Sequence, residues 1–329
     1  MNTLVGDIGG TKTILAIALI ENGQYRMRSE KTYRSGDYSD LENIISDYLK
    51  ITDPKIDKAC LALAGPVSNN RARITNLPWV VDAKNLRSLL KISSVKLIND
   101  LEAIACSIPY LKADDILILQ EGLTDKQCNI AVIAPGTGLG EAYLTYDHGT
   151  YNAHPSEGAH ASFSPINDLQ TELLNYVQNQ GFDHVSFERV CSGSLGVPNI
   201  YNFLRDTGKE IEPKWLSKKL ADGSDPTPII IETALNDSAE CSICRSALEL
   251  FCEILAVETG NLALKILSTG GIYIAGGIAG KIIKELKKPY FIHTMQQKGR
   301  FSEQLKAMPV KIIKNRNAGL IGAAVCEIQ

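Results

Sequence analysis

Apolar positions along the chain follow two periods, one typical of strands and one typical of helices, and these alternate in a repeated order. Short apolar runs predict strands over residues 4–8, 14–20 and 25–33. A helix follows, because apolar residues from Leu41 to Leu49 recur on one helical face and Ser39 opens a capping box with Glu42. Further on, residues 58–64 and 95–98 are predicted to be strands, with a helix beginning at Asp82 between them.

The second half of the chain repeats this opening. Strands are predicted over 129–134, 142–146 and 151–153, then helices over 169–177, 197–204, 228–235 and about 239–267. The chain closes with strands at 272–275 and 310–313 and helices from about 279 and at 318–326. Two β-β-β-α-β-α units in one chain describe a duplicated nucleotide-binding module, with the nucleotide expected in the cleft between the copies.

Three glycine-rich segments, at residues 7–13, 134–140 and 274–280, each follow one of these predicted strands. Adjacent glycines let backbone N–H groups approach an anion closely, because no Cβ stands in the way. Two such turns facing each other could hold the phosphates of one nucleotide, and the third, which ends in a helix start, suits the adenosine side. A Rossmann oxidoreductase is disfavoured, since neither of the first two turns forms GxGxxG opening directly into a helix.

Composition excludes several other classes. The chain has 329 residues, with 34 basic and 37 acidic side chains and a net charge of −3. This balance lacks the excess positive charge that binding to nucleic acid or to an anionic membrane requires. The first residues lack the pattern of a signal peptide, so we expect a cytoplasmic protein. The eight cysteines lie mostly in apolar runs, and the one CxxC, Cys241 to Cys244, lacks obvious further ligands for a metal.

Seven segments resemble the bacterial-type glucokinases, within the hexokinase, actin and Hsp70 ATPase superfamily, over nearly the whole chain. They are Gly6-Asp-Ile-Gly-Gly-Thr11, Leu97-Ile-Asn-Asp100, Gly136-Thr-Gly-Leu-Gly140, Pro155-Ser-Glu-Gly-Ala-His160, Ser186-Phe-Glu-Arg189, Ile274-Ala-Gly-Gly277 and Lys298-Gly-Arg-Phe301. The first and third segments occur across the superfamily, whereas the Ser-Glu-Gly-x-His and Glu-Arg motifs are specific to sugar kinases of this type.

The resemblance implies an α/β fold of two ribonuclease-H-like, actin-like ATPase domains with a nucleotide and sugar cleft between them. We expect a small domain from residues 1–109 plus 312–329 and a large domain from residues 110–311. The implied activity is ATP-dependent phosphorylation of glucose at its 6-hydroxyl, in a homodimer that uses Mg²⁺.

The resemblance also assigns roles to individual residues. Asp100 is the implied general base, and the implied sugar contacts are Asn99, Glu157, His160 and Glu188. The implied ATP-binding residues are Gly6, Asp7, Ile8, Gly9, Gly10, Thr11, Lys12, Gly136, Thr137, Gly138, Gly276 and Gly277. No residue is expected to bind metal directly, because ATP carries the Mg²⁺ and Asp7 organises it through water.

The residues taken alone leave other interpretations open. Asp100 could simply cap a helix, and His160 could be a structural histidine. Glu188 beside Arg189 could form a surface ion pair, and Lys12 could be a solvated side chain at a hairpin tip. Retention of Asp100 argues against a non-catalytic sugar or nucleotide sensor, because a pure binder has no need of a base.

The chain departs from the family pattern at several positions. Ala159 and Ser162 stand where the family usually has Gly and Asp, Pro135 enters the second phosphate turn, and the loop 191–196 is one residue longer. An added methyl beside His160 could narrow the sugar pocket. A kinase for another hexose, such as mannose or an amino sugar, is therefore an alternative to a glucokinase.

Overall fold

The computed structural model describes residues 2–21, 24–52, 55–123, 127–236 and 238–326. Its strands are β1 Asn2–Ile8, β2 Lys12–Glu21, β3 Gln24–Arg34, β4 Lys58–Leu63, β5 Val67–Ser68, β6 Arg71–Arg73, β7 Val80–Asp82, β8 Ser94–Asn99, β9 Ile116–Gln120, β10 Ile130–Pro135, β11 Leu139–Asp147, β12 Thr150–Ser156, β13 Gly271–Ile274 and β14 Val310–Ile313.

Its α-helices follow the same alternation. They are α1 Leu41–Thr52, α2 Ala83–Leu90, α3 Asp100–Ser107, α4 Asp168–Gln178, α5 Phe187–Val190, α6 Gly196–Asp206, α7 Lys214–Leu220, α8 Pro226–Leu235, α9 Ser242–Ile266, α10 Gly277–Lys281, α11 Ile283–Leu286, α12 Pro289–Gln296, α13 Ser302–Ala307 and α14 Ala318–Val325.

The two main sheets have the same strand order. The first runs β3-β2-β1-β4-β8 and the second β12-β11-β10-β13-β14, with β9 added at its edge. In the first sheet β1 is antiparallel to β2 and parallel to β4, and in the second β10 is parallel to β13 and β13 to β14. The expected repeat of three consecutive strands followed by crossover strands is confirmed.

Several elements differ from the sequence-based expectation. The small sheet β5-β6-β7 and the edge strand β9 were not expected. The predicted cap of α1 at Ser39 is wrong by one residue, because Asp40 Oδ1 accepts the Asn43 N–H at 2.8 Å. Helix α9 ends where Leu267 adopts a left-handed conformation with φ of 50°, which stops further helical hydrogen bonds.

Contacts between Cα atoms divide the chain into two units. One comprises residues 1–115, 142–155 and 315–329, and the other residues 116–141 and 156–314. The domain boundaries expected from sequence stay a prediction beside this division.

Each unit has its own apolar core. In the first, one face of the sheet packs on α1 and α2, with Leu41, Tyr48 and Leu86 buried. The opposite face packs on α3 and α14. In the second unit α9 runs through the core, where Phe251 and Leu255 are fully buried. These cores fix the strand ends on which the candidate site is built.

None of the helices in the described ranges combines the length and the apolar character needed to cross a membrane. All eight cysteines lie in those ranges, and none is in a disulfide. Cys241 precedes α9 as its N-terminal cap residue and is buried, as is Cys244.

Candidate functional site

In the first unit, three parallel strands end side by side. Ile8 of β1 is in register with Leu63 of β4, and Leu63 with Asn99 of β8. Asp7 and Asp100 therefore both lie at the carboxyl edge of this sheet, where α/β folds bind their ligands.

Asn99, and not Asp100, caps helix α3. Its Oδ1 accepts the N–H groups of Leu101 at 2.9 Å and Glu102 at 3.3 Å, and the Glu102 carboxylate accepts the Asn99 N–H at 3.4 Å. Its Nδ2 donates to the Gly65 carbonyl at 3.1 Å. Because the cap is supplied by its neighbour, the helix-cap interpretation of Asp100 is wrong. Whether Asn99 also contacts a sugar stays a prediction.

Asp100 lies at the first position of α3, where one carboxyl oxygen accepts the Leu101 N–H at 2.9 Å. Burial and then the nearby charge of Asp7 raise the pKa of Asp100 to about 6, against the opposing effect of hydrogen bonds from Leu101 and Asn99. A carboxylate with a raised pKa accepts protons near neutral pH more readily than an ordinary Asp.

Asp7 shares this desolvated environment. Burial raises the pKa of Asp7, and the Lys12 charge partly offsets that rise. A Cβ added to Gly319, in the first turn of α14, would lie 3.0 Å from Asp7 Oδ2. Two carboxylates at one strand edge, each with a raised pKa, form a site that a cation would stabilise.

The first glycine segment forms a tight turn between β1 and β2. The Gly9 N–H donates to the Lys12 carbonyl at 2.9 Å, and the buried Ser35 hydroxyl donates to the Gly9 carbonyl at 2.7 Å. A Cβ on Gly10 would meet the Thr75 carbonyl oxygen at 2.8 Å. Thr11 and Lys12 are exposed. The turn thus presents polar groups at the same edge as Asp7.

Two of the predicted ATP-binding residues lie in the core of this unit. Ile8 is fully buried in the cluster of Leu4 and Leu15. A Cβ on Gly6 would lie 2.7 Å from Ile8 Cδ1 and 2.9 Å from Leu15 Cδ2, so packing requires glycine there. Gly6 and Ile8 therefore support the first glycine turn by their packing within the sheet.

The second glycine turn, in the other unit, is also closed by a backbone hydrogen bond. The Gly136 N–H donates to the Gly138 carbonyl at 2.8 Å. The following loop covers it, because Gly193 N–H donates to the Gly136 carbonyl and Ser194 N–H to the Thr137 carbonyl, each at 2.9 Å. Pro135 ends β10 and leaves this turn intact.

The third glycine segment begins α10. Gly276, the cap residue of that helix, has a φ of 91°, and a Cβ there would meet the Pro135 carbonyl oxygen at 2.5 Å. Only glycine suits both the left-handed conformation and this close approach. Gly277 has open space beside it, since an added Cβ would meet nothing within 4 Å.

Three predicted sugar contacts come together in the second unit. His160 Nε2 lies 3.4 Å from Glu188 Oε2 and 3.8 Å from Glu157 Oε2. Glu157 and His160 are more than half exposed, at 70% and 57% of their side chains. A Cβ on Gly138 would lie 3.4 Å from Glu188 Oε2, so this carboxylate also borders the second glycine turn. The cluster can accept and donate bonds to vicinal hydroxyls.

Two interpretations left open by the sequence fail in this region: an ion pair between Glu188 and Arg189, and a sugar pocket narrowed by the methyl group of Ala159. Arg189 stacks its guanidinium 3.8 Å from the centre of the Phe182 ring, while the Glu188 carboxylate faces His160. Ala159 is only 2% exposed and belongs to the apolar core with Phe163. Its methyl group is therefore part of the packing beneath the loop.

Glu141 of β11 is a buried carboxylate beside the predicted sugar contacts that the sequence did not single out. It is buried beneath the loop of Glu157, because a Cβ on Gly158 would overlap its carboxylate. Burial and then the charge of Glu258 raise the pKa of Glu141 to about 8, against the effect of Lys265. The available signal was a charged residue inside an apolar strand directly after the second glycine turn.

A surface depression that the sequence did not predict lies beside Gly10. Residues of the small sheet and its loops line a depression of about 510 Å³: Pro66, Arg73, Ile74, Thr75, Asn76 and Leu77. Asn76 there has a φ of 66°, in the left-handed region. In the part of the chain that the structure describes, no group of three or more His, Cys, Asp or Glu residues could hold a metal ion.

Comparison with known proteins gives one consistent result. A family model described as Glucokinase matches residues 4–329. A glucokinase of Nostoc sp. is 41% identical over 337 residues, which cover 98% of each chain. The crystal structure of glucokinase from an Antarctic psychrotroph is 30% identical, covers 99% of this chain and 98% of that one, and has a TM-score of 0.83. A glucokinase from Streptomyces griseus, described in complex with glucose and AMPPNP, is 18% identical, covers 98% of each chain and shares the fold with a TM-score of 0.65.

Proposed function

Because the chain belongs to the glucokinase family, whose reaction is the ATP-dependent phosphorylation of glucose to glucose 6-phosphate, we propose that it performs this reaction with Asp100 as its general base. The observation that carries this assignment is the environment of Asp100. Its carboxylate is desolvated, has a pKa raised to about 6 and is relieved of helix capping by Asn99.

Asp100 accepts the proton of the sugar 6-hydroxyl. The hydroxyl oxygen attacks the γ-phosphorus of ATP at the same time, and ADP leaves. At neutral pH most of the Asp100 population is ionised and ready to accept that proton, because its pKa lies near 6. Phosphoryl transfer depends mainly on positioning and charge, so one well-placed base and a fixed acceptor suffice.

Glu157, His160 and Glu188 hold the sugar hydroxyls. Carboxylate oxygens accept hydrogen bonds from hydroxyl groups, and the imidazole between them can donate or accept. Their spacing of 3.4 and 3.8 Å around His160 Nε2 supports a shared role, since one small ligand can then contact all three side chains. Asn99 adds a contact through its side-chain amide.

The glycine turns at 9–12 and 136–138 hold the ATP phosphates, and Gly276 and Gly277 lie at the adenosine. Asp7 fits a role in organising Mg²⁺ through water, because its carboxylate shares a desolvated strand edge with Asp100. The bound ion would neutralise charge on the phosphates. Lys12, exposed at the first turn, adds a positive charge there.

We further propose a cytoplasmic homodimer. Eight cysteines without a disulfide suit a reducing compartment. The dimer follows from the family resemblance, and the exposed Ile211 and Trp215 of the second unit, at 85% and 48%, offer apolar contacts for it. Sedimentation at micromolar concentration tests this part, and a monomer there would overturn it.

The test of the proposed function is coupled ATP consumption with glucose, mannose and glucosamine, each at a series of concentrations. We expect the highest kcat/KM with glucose and a product phosphorylated at the 6-position. A higher kcat/KM with mannose or glucosamine would make the protein a kinase for that hexose. Tight sugar binding without turnover would identify a sensor.

A further inference from the structure

Three cysteines from distant parts of the sequence meet behind the first sheet. Cys60 lies on β4, Cys106 on α3 and Cys326 directly after α14, and all three are buried in one cluster. Hydrogen bonding by the Cys106 and Cys60 thiols lowers the pKa of Cys326. We call Cys60, Cys106 and Cys326 the thiol cluster.

Helix packing places two members of the thiol cluster near each other. A Cβ on Gly322 of α14 would overlap the backbone of Ala103 of α3, so the two helices touch backbone to backbone. Cys326 and Cys106 each lie about one turn further along their helices. A disulfide needs Cα atoms roughly 4.4–6.8 Å apart, which helices in backbone contact allow.

A cation completes the arrangement. Lys96 Nζ lies 3.1 Å from Cys326 Sγ and 3.4 Å from the Cys326 carbonyl oxygen. Hydrogen bonds from Cys106 and Cys60 and the charge of Lys96 hold the pKa of Cys326 well below the usual thiol range. Donation to Cys326 and burial raise the pKa of Cys106. The arrangement therefore favours the thiolate form of Cys326 beside a protonated Cys106.

We propose that Cys326 is a peroxide-reactive site and that Cys106 converts its oxidised form into an internal disulfide. The Cys326 thiolate attacks hydrogen peroxide, an S–O bond forms, the O–O bond breaks, and the released hydroxide takes a proton to become water. The Cys106 sulfur then attacks the sulfenic sulfur, and the hydroxyl leaves with the Cys106 proton as a second water. Two thiols thus reduce one peroxide to two waters.

Accessibility sets the order of these steps. Cys326 is 7% exposed, whereas Cys106 is 1% and Cys60 0% exposed, so a water-sized oxidant reaches Cys326 first. Cys128 is more exposed than any member of the thiol cluster. If exposure alone governed reactivity, Cys128 would be oxidised first. A comparison of the oxidation rates of Cys326 and Cys128 therefore distinguishes activation by Lys96 from the effect of exposure.

The experiment treats the whole protein with hydrogen peroxide. At timed intervals the protein is unfolded in guanidinium chloride so that buried thiols also react, the remaining thiols are blocked with iodoacetamide, and the peptides are identified by mass. We expect Cys106 and Cys326 to become protected together, in one linked pair of peptides two hydrogens lighter than their sum. Dithiothreitol should restore both thiols. Oxidation of Cys128 ahead of Cys326, or protection of neither cluster thiol, would overturn the proposal.

Two variants extend the test without relying on one fold-sensitive change. Lys96→Met keeps every thiol and removes the ammonium, so disulfide formation should slow on the order of tenfold. Cys128→Ser is the matched control, and its rate should equal that of the wild type. An unchanged rate in Lys96→Met would contradict activation by the lysine. These readouts do not depend on kinase activity.

Discussion

Asn99 caps helix α3 through its side-chain oxygen, and this leaves the adjacent Asp100 carboxylate at the strand edge beside Asp7. The Asn-Asp pair thus divides two tasks between neighbours, because the Asn99 side-chain oxygen caps the helix and the Asp100 carboxylate is available to a substrate. This division explains how a desolvated carboxylate can lie at a helix start without serving as the helix cap.

The acid limb of the pH–rate profile should report Asp100. Because burial and Asp7 raise its pKa to about 6 in the substrate-free protein and a general base must be ionised, kcat/KM for glucose should fall as pH drops through about 6. The measurement is kcat/KM for glucose at saturating ATP from pH 5 to 8. A kcat/KM that stays level down to pH 5, as an Asp with the ordinary pKa of 3.8 would give, would contradict the assignment.

The sugar cluster should control the glucose KM. Glu157→Gln and His160→Ala remove contacts made in the ground and transition states alike, so each should raise the glucose KM roughly tenfold or more while kcat changes less. His293→Ala, a surface histidine that contacts Gln297, is the control. A change confined to the KM for ATP would place the cluster at the nucleotide.

The first glycine turn should control ATP binding. In Gly10→Ala the new methyl would press on the Thr75 carbonyl oxygen, which lies 2.8 Å from the Cβ position, and would displace the turn. We expect weaker ATP binding with glucose binding still measurable by calorimetry. Gly36→Ala is matched, because its Cβ would meet nothing within 4 Å. Equal ATP affinity in both variants would remove this turn from the site.

Glu141 should make stability depend on pH. Its pKa is raised to about 8 in the fold, above the ordinary 4.5, so the unfolded chain releases this proton first. The folded state therefore loses stability as pH rises from about 4.5 to about 8. Glu141→Gln abolishes that loss, so the free energy of unfolding of the variant minus that of the wild type should be more positive at pH 8 than at pH 5.

Urea unfolding at the two pH values measures this difference. Glu303→Gln is the control, since that carboxylate is 84% exposed and pairs only with Lys306 among the contacts described. A difference between Glu141→Gln and wild type that is the same at pH 5 and pH 8 would show that Glu141 is ionised in the folded state.

Sequence patterns predicted the repeated strand order because period and glycine turns are local properties. They also led to Glu157, His160 and Glu188, through a motif resemblance. They could not reveal Glu141 beneath Gly158, or the thiol cluster, because these arise from packing between distant segments. The residues alone left a helix cap open as an interpretation of Asp100, since either Asn99 or Asp100 suits a cap and only the backbone geometry decides.

The most direct test of the account is the turnover of Asp100→Asn at saturating glucose and ATP, with Asp82→Asn as the matched control. Asp82 also lies at a helix start, where it accepts the Lys84 N–H at 2.8 Å. We expect Asp100→Asn to lower kcat on the order of a hundredfold or more and to keep its glucose affinity, and we expect Asp82→Asn to keep the wild-type kcat. Near-normal turnover in Asp100→Asn would show that Asp100 is not the base.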